Sequence, residues 1–453
     1  MLPAPLITPI PFRDPATAFA PLATRSMAML LDSALAGAQG RFSYIVTDPF
    51  RTIRCTPHPW QVTVDGTDAG SDPFTVLRTA LRELRAAPGP FPFMGGAVGF
   101  LSYELGGLIE RLPVPKSRPW PADMIVGLYD TVAVFDHERH EAWVVGHHTP
   151  GRTPAEERAK ALADGLGTTT PQHAAVHGTW KSETARADYE AAVTGTLEAI
   201  WGGDIYQANI TQRFMAEIPA DAASFDLYLR LRAATPAPFV AFINTGDMQL
   251  ISASPERFLQ LTAAGDVETR PIKGTRPRGK TPAEDKALAA ELLASGKDRA
   301  ENLMIGDLLR NDLARVCAPG SVEVPVLCGL ESFPAVHHLV SVVTGRLAEG
   351  ADAIDLLRAA FPGGSVTGAP KIKAMEIIHA LEPAARGPYC GAIAWLGFDG
   401  AMDSSIVIRT LIRGGTTLVA QAGGGIVAES DPAREYEESL VKVRALLSVL
   451  EAS

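Results

Sequence analysis

The stretch CGAIAWLGFDGAMDSSIVIRTLIRGGTTLVAQAGGGIV, residues 390–427, decides the fold. Its apolar runs CGAIAWLGF, SSIVIRTLI and TLVAQAGGGIV are separated only by short turns carrying Gly, Asp and Thr, so they read as successive strands with no helix between them. Strands joined so tightly pair antiparallel, because a parallel neighbour needs a crossover of about a dozen residues or more. The same habit extends upstream through VSVVTGRL (340–347), LISASPERFLQLT (250–262), FVAFINTG (239–246) and YQANITQRF (206–214). It returns in the first 150 residues as RFSYIVTDPF, PFMGGAVGFLSYEL, MIVGLYDTVAVFD and HEAWVVGHH. Amphipathic or capped helices are expected near 186–201, 282–295, 297–316 and 432–450. The expected class is α+β: antiparallel sheets with helices to one side, not a doubly wound parallel sheet. Residues 147–182, rich in Thr, Pro, Gly and Ala around one short helix, read as a surface linker. It divides an N-terminal subdomain, 1–146, from a catalytic region, 183–453.

The 453 residues carry 51 acidic and 41 basic side chains, a formal charge of −10. That balance lacks the broad positive field a nucleic-acid phosphate backbone needs, so nucleic acid is excluded as a partner. The four cysteines show no CxxC spacing, which argues against a zinc site and a disulfide scaffold and fits a reducing cytoplasm. MLPAPLITPIPF lacks the positive start and unbroken apolar run of a secretory signal. The longest uncharged run, 86–103, holds three prolines and four glycines and cannot form a membrane helix. The expectation is a cytoplasmic protein without a membrane partner. An anionic substrate must then be held by a few local cations or a metal.

Several motifs concentrate chemistry. FPGGSVTGAPK, residues 361–371, has two glycines at phosphate-loop spacing, but Ala369 and Pro370 stand where Lys and Ser or Thr are required, so nucleotide binding is not indicated. Its glycines permit close backbone approach, and Pro370 reads as a helix entry suited to a carboxylate. QAGGGIV, residues 421–427, places three glycines at a strand end, where either a bulge or a ligand needs the missing side chains. In the final helix, Tyr436, Leu440, Val443, Leu447 and Leu450 read as the core stripe. Glu435, Glu438 and Lys442 share another face, within about 60° at about 100° per residue, which suits a hard cation beside a carboxylate ligand as well as a plain solvated face. In RPIKGT a regular strand would bury Ile272 and turn Lys273 to a cavity or to solvent. Arg270, Arg276 and Arg278 crowd Lys273, and neighbouring cations lower an ammonium pKa, as an amine nucleophile requires.

Taken in order, LLDS (30–33), IYQANITQRF (205–214), SPERF (254–258), PIKGT (271–275), KDRAENLMIGDLLRND (297–312), FPAVHHLV (333–340), FPGGSVTGAPK, IVIRT (406–410), QAGGGIV and EYEESLVKV (435–443) resemble the chorismate-utilising enzyme family across nearly the whole chain. The resemblance implies two large antiparallel sheets packed face to face with helices outside and the active site between them. PIKGT, rather than PIAGT, resembles the branch that aminates chorismate at C4 to 4-amino-4-deoxychorismate, the precursor of 4-aminobenzoate and folate, an activity of the transaminase class. By that resemblance Lys273 attacks C2 as the 4-hydroxyl leaves, and ammonia then adds at C4 and displaces the lysine. Glu256 is implied as the acid and base. Glu301 and Glu438, with Glu435 assisting, are implied to hold Mg²⁺. Gly424, Gly425 and Lys442 would hold the ring carboxylate, Arg409 and Tyr389 the enolpyruvyl carboxylate, and His338 and Ser365 would line the ring. Gln207 stands where water-adding relatives have a basic lysine, and it cannot act as that base. Asp32, Ser33, Pro238 and Phe239 match a tryptophan pocket of relatives, as feedback site, structural plug or ordinary packing. No cysteine stands in a GxCxG setting, so the ammonia is expected from a separate glutamine amidotransferase. The alternatives are the anthranilate-forming branch, which Lys273 opposes, and a non-catalytic regulator that binds chorismate or tryptophan.

Overall fold

The first and last strands expected in 390–427 form, but the middle run, 404–412, breaks at 407–409 and divides between two sheets. Ala392–Gly397 and Met402–Ile406 pair in one, Thr410–Gly414 and Thr417–Ile426 in the other. The computed structural model describes residues 1–451 apart from 36, 38, 117, 118 and 335. Among these residues each sheet has 12 strands, and every pairing between them is antiparallel. At the centre of the first sheet, Met29–Asp32 pairs with Phe239–Asn244, which pairs in turn with Met248–Ser254. The second sheet joins early and late chain where Gly96–Leu101 pairs with Ala392–Gly397. Each sheet is therefore built partly from residues before 147 and partly from residues after 182.

Alternation along the strands explains how the layers stack. In Thr131–Asp136, Val132 and Val134 point into a core shared with the second sheet, with Tyr44, Ile53, Val98 and Trp395. Ala133 and Phe135 point the other way, into a second core roofed by helices, with Phe19, Leu162, Tyr228 and Leu446. A strand with both faces covered has no polar face, which is why these runs are apolar throughout. Helix Ala155–Gly165, inside the stretch expected as a linker, buries Ala159 and Leu162 in that second core. No helix of the described residues is long and apolar enough to cross a membrane. The four expected helices form as Arg186–Trp201, Pro282–Ala294, Gly296–Ala314 and Pro432–Leu447.

Candidate active site

The chain passes from the first sheet to the second at Pro255 and Glu256, and returns at residues 407–409. The two crossings run side by side. The Ile406 amide donates to the Glu256 carbonyl at 3.1 Å, the Ala253 amide to the Arg409 carbonyl at 3.0 Å, and the Ser254 hydroxyl to the Ile406 carbonyl at 2.6 Å. Arg409 takes the left-handed conformation, φ +52°, which a long side chain rarely adopts. Its guanidinium donates to the Lys442 carbonyl, and burial lowers its pKa. Both crossings border a cavity of about 820 Å³ lined from both sheets and from helices Gly296–Ala314 and Pro432–Leu447. Glu256 is 6% exposed there, and burial raises its pKa to about 7 against the pull of the Ser365 hydroxyl and of Lys273.

Lys273 lies on the edge strand Ile272–Pro277, but regular alternation fails there. Ile272 pairs with Val340 and Thr275 with His338, so an extra residue is accommodated between them, with Gly274 at φ +85°. The bulge turns both Ile272 and Lys273 to the cavity, where strict alternation had predicted opposite faces. The Lys273 ammonium donates to the Ser365 carbonyl at 3.1 Å. Burial lowers its pKa, opposed by Glu301 and Glu256. The crowding arginines are not the cause. Arg270 is paired with Glu268 and Glu331, Arg276 with Glu291 and Asp298, and Arg278 with Asp285, so their charges are spent locally. His338 hydrogen-bonds Thr275 at 2.9 Å, and burial next to Arg409 lowers its pKa to about 4, leaving a neutral ring.

Beside Lys273 the cavity is acidic. Glu301, Glu435 and Glu438 all line it. Burial raises the pKa values of Glu301 and Glu435, and each is raised further by another carboxylate. Two ammonium groups answer this charge: Lys297 stands 4.0 Å from Glu301 and 3.8 Å from Glu435, and Lys442 stands 2.7 Å from Glu438. No three His, Cys, Asp or Glu groups of the described residues form a closed metal cage. The donor set nevertheless fits Mg²⁺, which binds through one or two carboxylates, several waters and a ligand oxygen. The final helix carries this cluster beside the expected core stripe: Val443 and Leu450 are buried and Tyr436, Leu440 and Leu447 are half-buried against the core, while Glu435, Ser439 and Leu446 are buried as well.

The three glycines serve three purposes. A Cβ on Gly423 would collide with the Ile210 carbonyl of the adjoining strand, and one on Gly425 with the Gln207 amide. One on Gly424 would stand 3.1 Å from a Glu435 oxygen and 3.4 Å from the Lys442 ammonium. Gly424 thus backs the acidic helix, while Gly423 and Gly425 line the cavity. From FPGGSVTGAPK only Ser365 and Val366 reach it. The helix begins at Lys371, one residue later than expected, and its first turn lies outside the cavity lining. Tyr389 lines it next to Arg409.

Asp32, Ser33 and Phe239 are not brought to this cavity; of that group Pro238 alone borders it. Asp32 accepts from Ser43 at 2.9 Å, Tyr228 at 2.7 Å and Arg232 at 2.6 Å. The Ser33 hydroxyl is shared between the Phe42 and Pro238 carbonyls. Sequence reading gave no role to Lys297, Asn209 or Gln421, which also line the cavity. Lys297 had a signal, its four-residue offset from Glu301 along one helix face.

A family model described as chorismate binding enzyme matches residues 34–448. The chain is similar to a protein of Salmonella typhimurium named aminodeoxychorismate synthase component 1, 43% identical over 99% of each chain. It is also similar to anthranilate synthase component 1 of Thermus thermophilus, 40% identical over 96% of this chain and 95% of that one. Among solved structures, anthranilate synthase component I from Streptococcus pneumoniae superposes with a TM-score of 0.81 at 33% identity, covering 91% of this chain and 93% of that one.

Proposed function

The chain belongs to the chorismate binding enzyme family, and on that premise we propose that it aminates chorismate at C4 to give 4-amino-4-deoxychorismate. The observation that carries this reading is Lys273: a cavity-lining amine whose charge is disfavoured by burial, beside a carboxyl group that titrates near neutrality. The neutral amine attacks C2 while the ring double bond shifts and the C4–O bond breaks. Glu256 gives its proton to the departing hydroxyl, which leaves as water. Ammonia then forms a bond to C4, the double bond returns, and the C2–N bond to Lys273 breaks. Glu256 takes the proton that the new ammonium sheds and is restored.

Arg409 and Tyr389 orient the enolpyruvyl carboxylate. Arg409 is a half-buried cation with no ion pair among the described residues, which suits an anionic ligand. Lys442 and Gly425, with Gly424 behind them against the helix, hold the ring carboxylate near Glu301, Glu435 and Glu438. Ser365 and neutral His338 border the ring. Glu301 and Glu438, assisted by Glu435, would hold Mg²⁺, which would supply positive charge against the ring carboxylate. The ammonia comes from a separate glutamine amidotransferase component. A cytoplasmic site fits the four free, buried cysteines. At Asp32 the bonded carboxylate favours a built-in plug over a tryptophan site.

The anthranilate-forming reading has support in the 40% identical relative of that name. Incubating the protein with chorismate, Mg²⁺ and ammonium and identifying the product separates the two. 4-Amino-4-deoxychorismate is the expected product; anthranilate would overturn the proposal, and unchanged chorismate would favour a binding protein without catalysis.

A further inference from the structure

Lys273 is held by the Ser365 carbonyl, and what holds that loop is a charged knot behind the cavity wall. Arg386 is 2% exposed. Its guanidinium donates to both Glu382 oxygens, at 2.9 and 2.7 Å, to the Val366 carbonyl at 2.8 Å and to the Asn209 carbonyl. Its amide donates to Glu104 at 2.7 Å, and its carbonyl accepts from the Gln421 side chain at 3.0 Å. Glu382 accepts in addition from the Thr211 amide and hydroxyl, both at 2.9 Å, and Glu104 from the Gly387 amide at 2.9 Å.

Three of these contacts are with residues of the cavity wall: Asn209, Val366 and Gln421 all line it, and Tyr389 follows three residues after Arg386. The three come from different segments, the strand Gln207–Glu217, the loop around Ser365, and the strand Thr417–Ile426. Stability alone is a weak reason for such a knot, since an apolar cluster of equal volume does as well or better than a buried ion pair. Arginine differs in its rigid planar fork of five donors, which can fix several carbonyls at once.

We propose that Arg386 is a positioning residue: by fixing the Val366 carbonyl, and Ser365 with it, Arg386 sets where the Lys273 amine is held relative to the other cavity walls. The proposal rests on the reading of Lys273 as the nucleophile. Arg386→Lys keeps a charge for Glu382 but cannot span both carbonyls. In folded variant protein, checked by near-ultraviolet circular dichroism at the assay temperature, kcat is expected to fall about tenfold or more while the chorismate KM stays within about threefold. Lys273, no longer anchored, should be acylated by a small amine-reactive reagent faster than in the wild type, relative to exposed Lys280 and read by peptide mass spectrometry. Glu104→Gln, which keeps its shape, should move both readouts in the same direction by less, and serves if Arg386→Lys does not fold. A folded variant with kcat within about twofold of wild type, or with unchanged Lys273 labelling, overturns the proposal. If the wild type converts no chorismate, the functional reading fails, and the labelling comparison still decides the role of Arg386.

Discussion

Two polar regions of this molecule are built on opposite plans. Around Asp32 every strong group is answered: the carboxylate takes three donors, and Arg232 spans from it to Asp14 at 2.7 Å. Around Lys273 the three groups proposed to meet the substrate, Lys273, Glu256 and Arg409, form no ion pairs among the described residues. The ammonium has a single neutral acceptor, Glu256 is buried without an ion pair among the described residues, and Arg409 donates only to a carbonyl. A lysine elsewhere makes the contrast sharper. Lys371 is also half-buried, but Asp312 at 2.6 Å and the Ala360 carbonyl at 2.7 Å tie it down. A satisfied network stabilises; an unsatisfied one keeps reactivity available, at a cost to stability.

Lys273→Ala should give the largest effect, reducing C4 amination by about a thousandfold or more with the fold intact, as followed by product chromatography. Retained amination would place Lys273 with the satisfied lysines. Next, Glu256→Gln should cost roughly 10²- to 10⁴-fold in kcat. The wild-type rate should also fall as pH rises through about 7, where Glu256 loses the proton that the leaving hydroxyl needs, and the variant should lack that limb. Stability carries the matching sign. The folded pKa is raised, so the stabilisation from the bound proton is present below about 4.5 and is lost as pH rises through about 7. Denaturant titrations of wild type and Glu256→Gln across that window should diverge toward neutral pH, with the wild type losing ground. Arg409→Lys should raise the chorismate KM roughly tenfold, because a point charge replaces a fork. In the closed region, Asp32→Asn should alter kcat least of the four, while chemical denaturation shows a loss of about 2–4 kcal/mol from the broken pair with Arg232.

Much of this arrangement is legible in the amino-acid order. Tight succession of apolar runs specifies antiparallel pairing, and PIKGT, SPERF and QAGGGIV mark the segments that meet at the cavity. What was not legible depends on geometry that period and spacing do not encode. The bulge at Lys273 and Gly274 breaks the two-residue alternation that a regular strand would keep. The arginines near Lys273 looked like a source of positive field, but their partners Glu291, Asp298 and Glu331 arrive from elsewhere in the chain. Arg386 sits in LEPAARGPYC, a segment with no motif, and its importance arises only from the three segments it reaches. In the final helix the expected stripe packs on the core, but the burial of Glu435 beside it, bonded to Ser430 at 2.7 Å, has no signal in the apolar spacing.

The paired crossings at 255–256 and 407–409 have a consequence for how the protein can be assembled. A cut anywhere in 147–182 yields two fragments, each owning part of both sheets and ending in raw strand edges, at Met29–Asp32 and Gly96–Leu101 on one side and at Phe239–Asn244 and Ala392–Gly397 on the other. Neither fragment alone can complete a layer, so the two would complement each other only as a pair. Amination activity would then report the reunion of the whole chain, since the strands that carry both crossings lie in sheets that only the two fragments together complete.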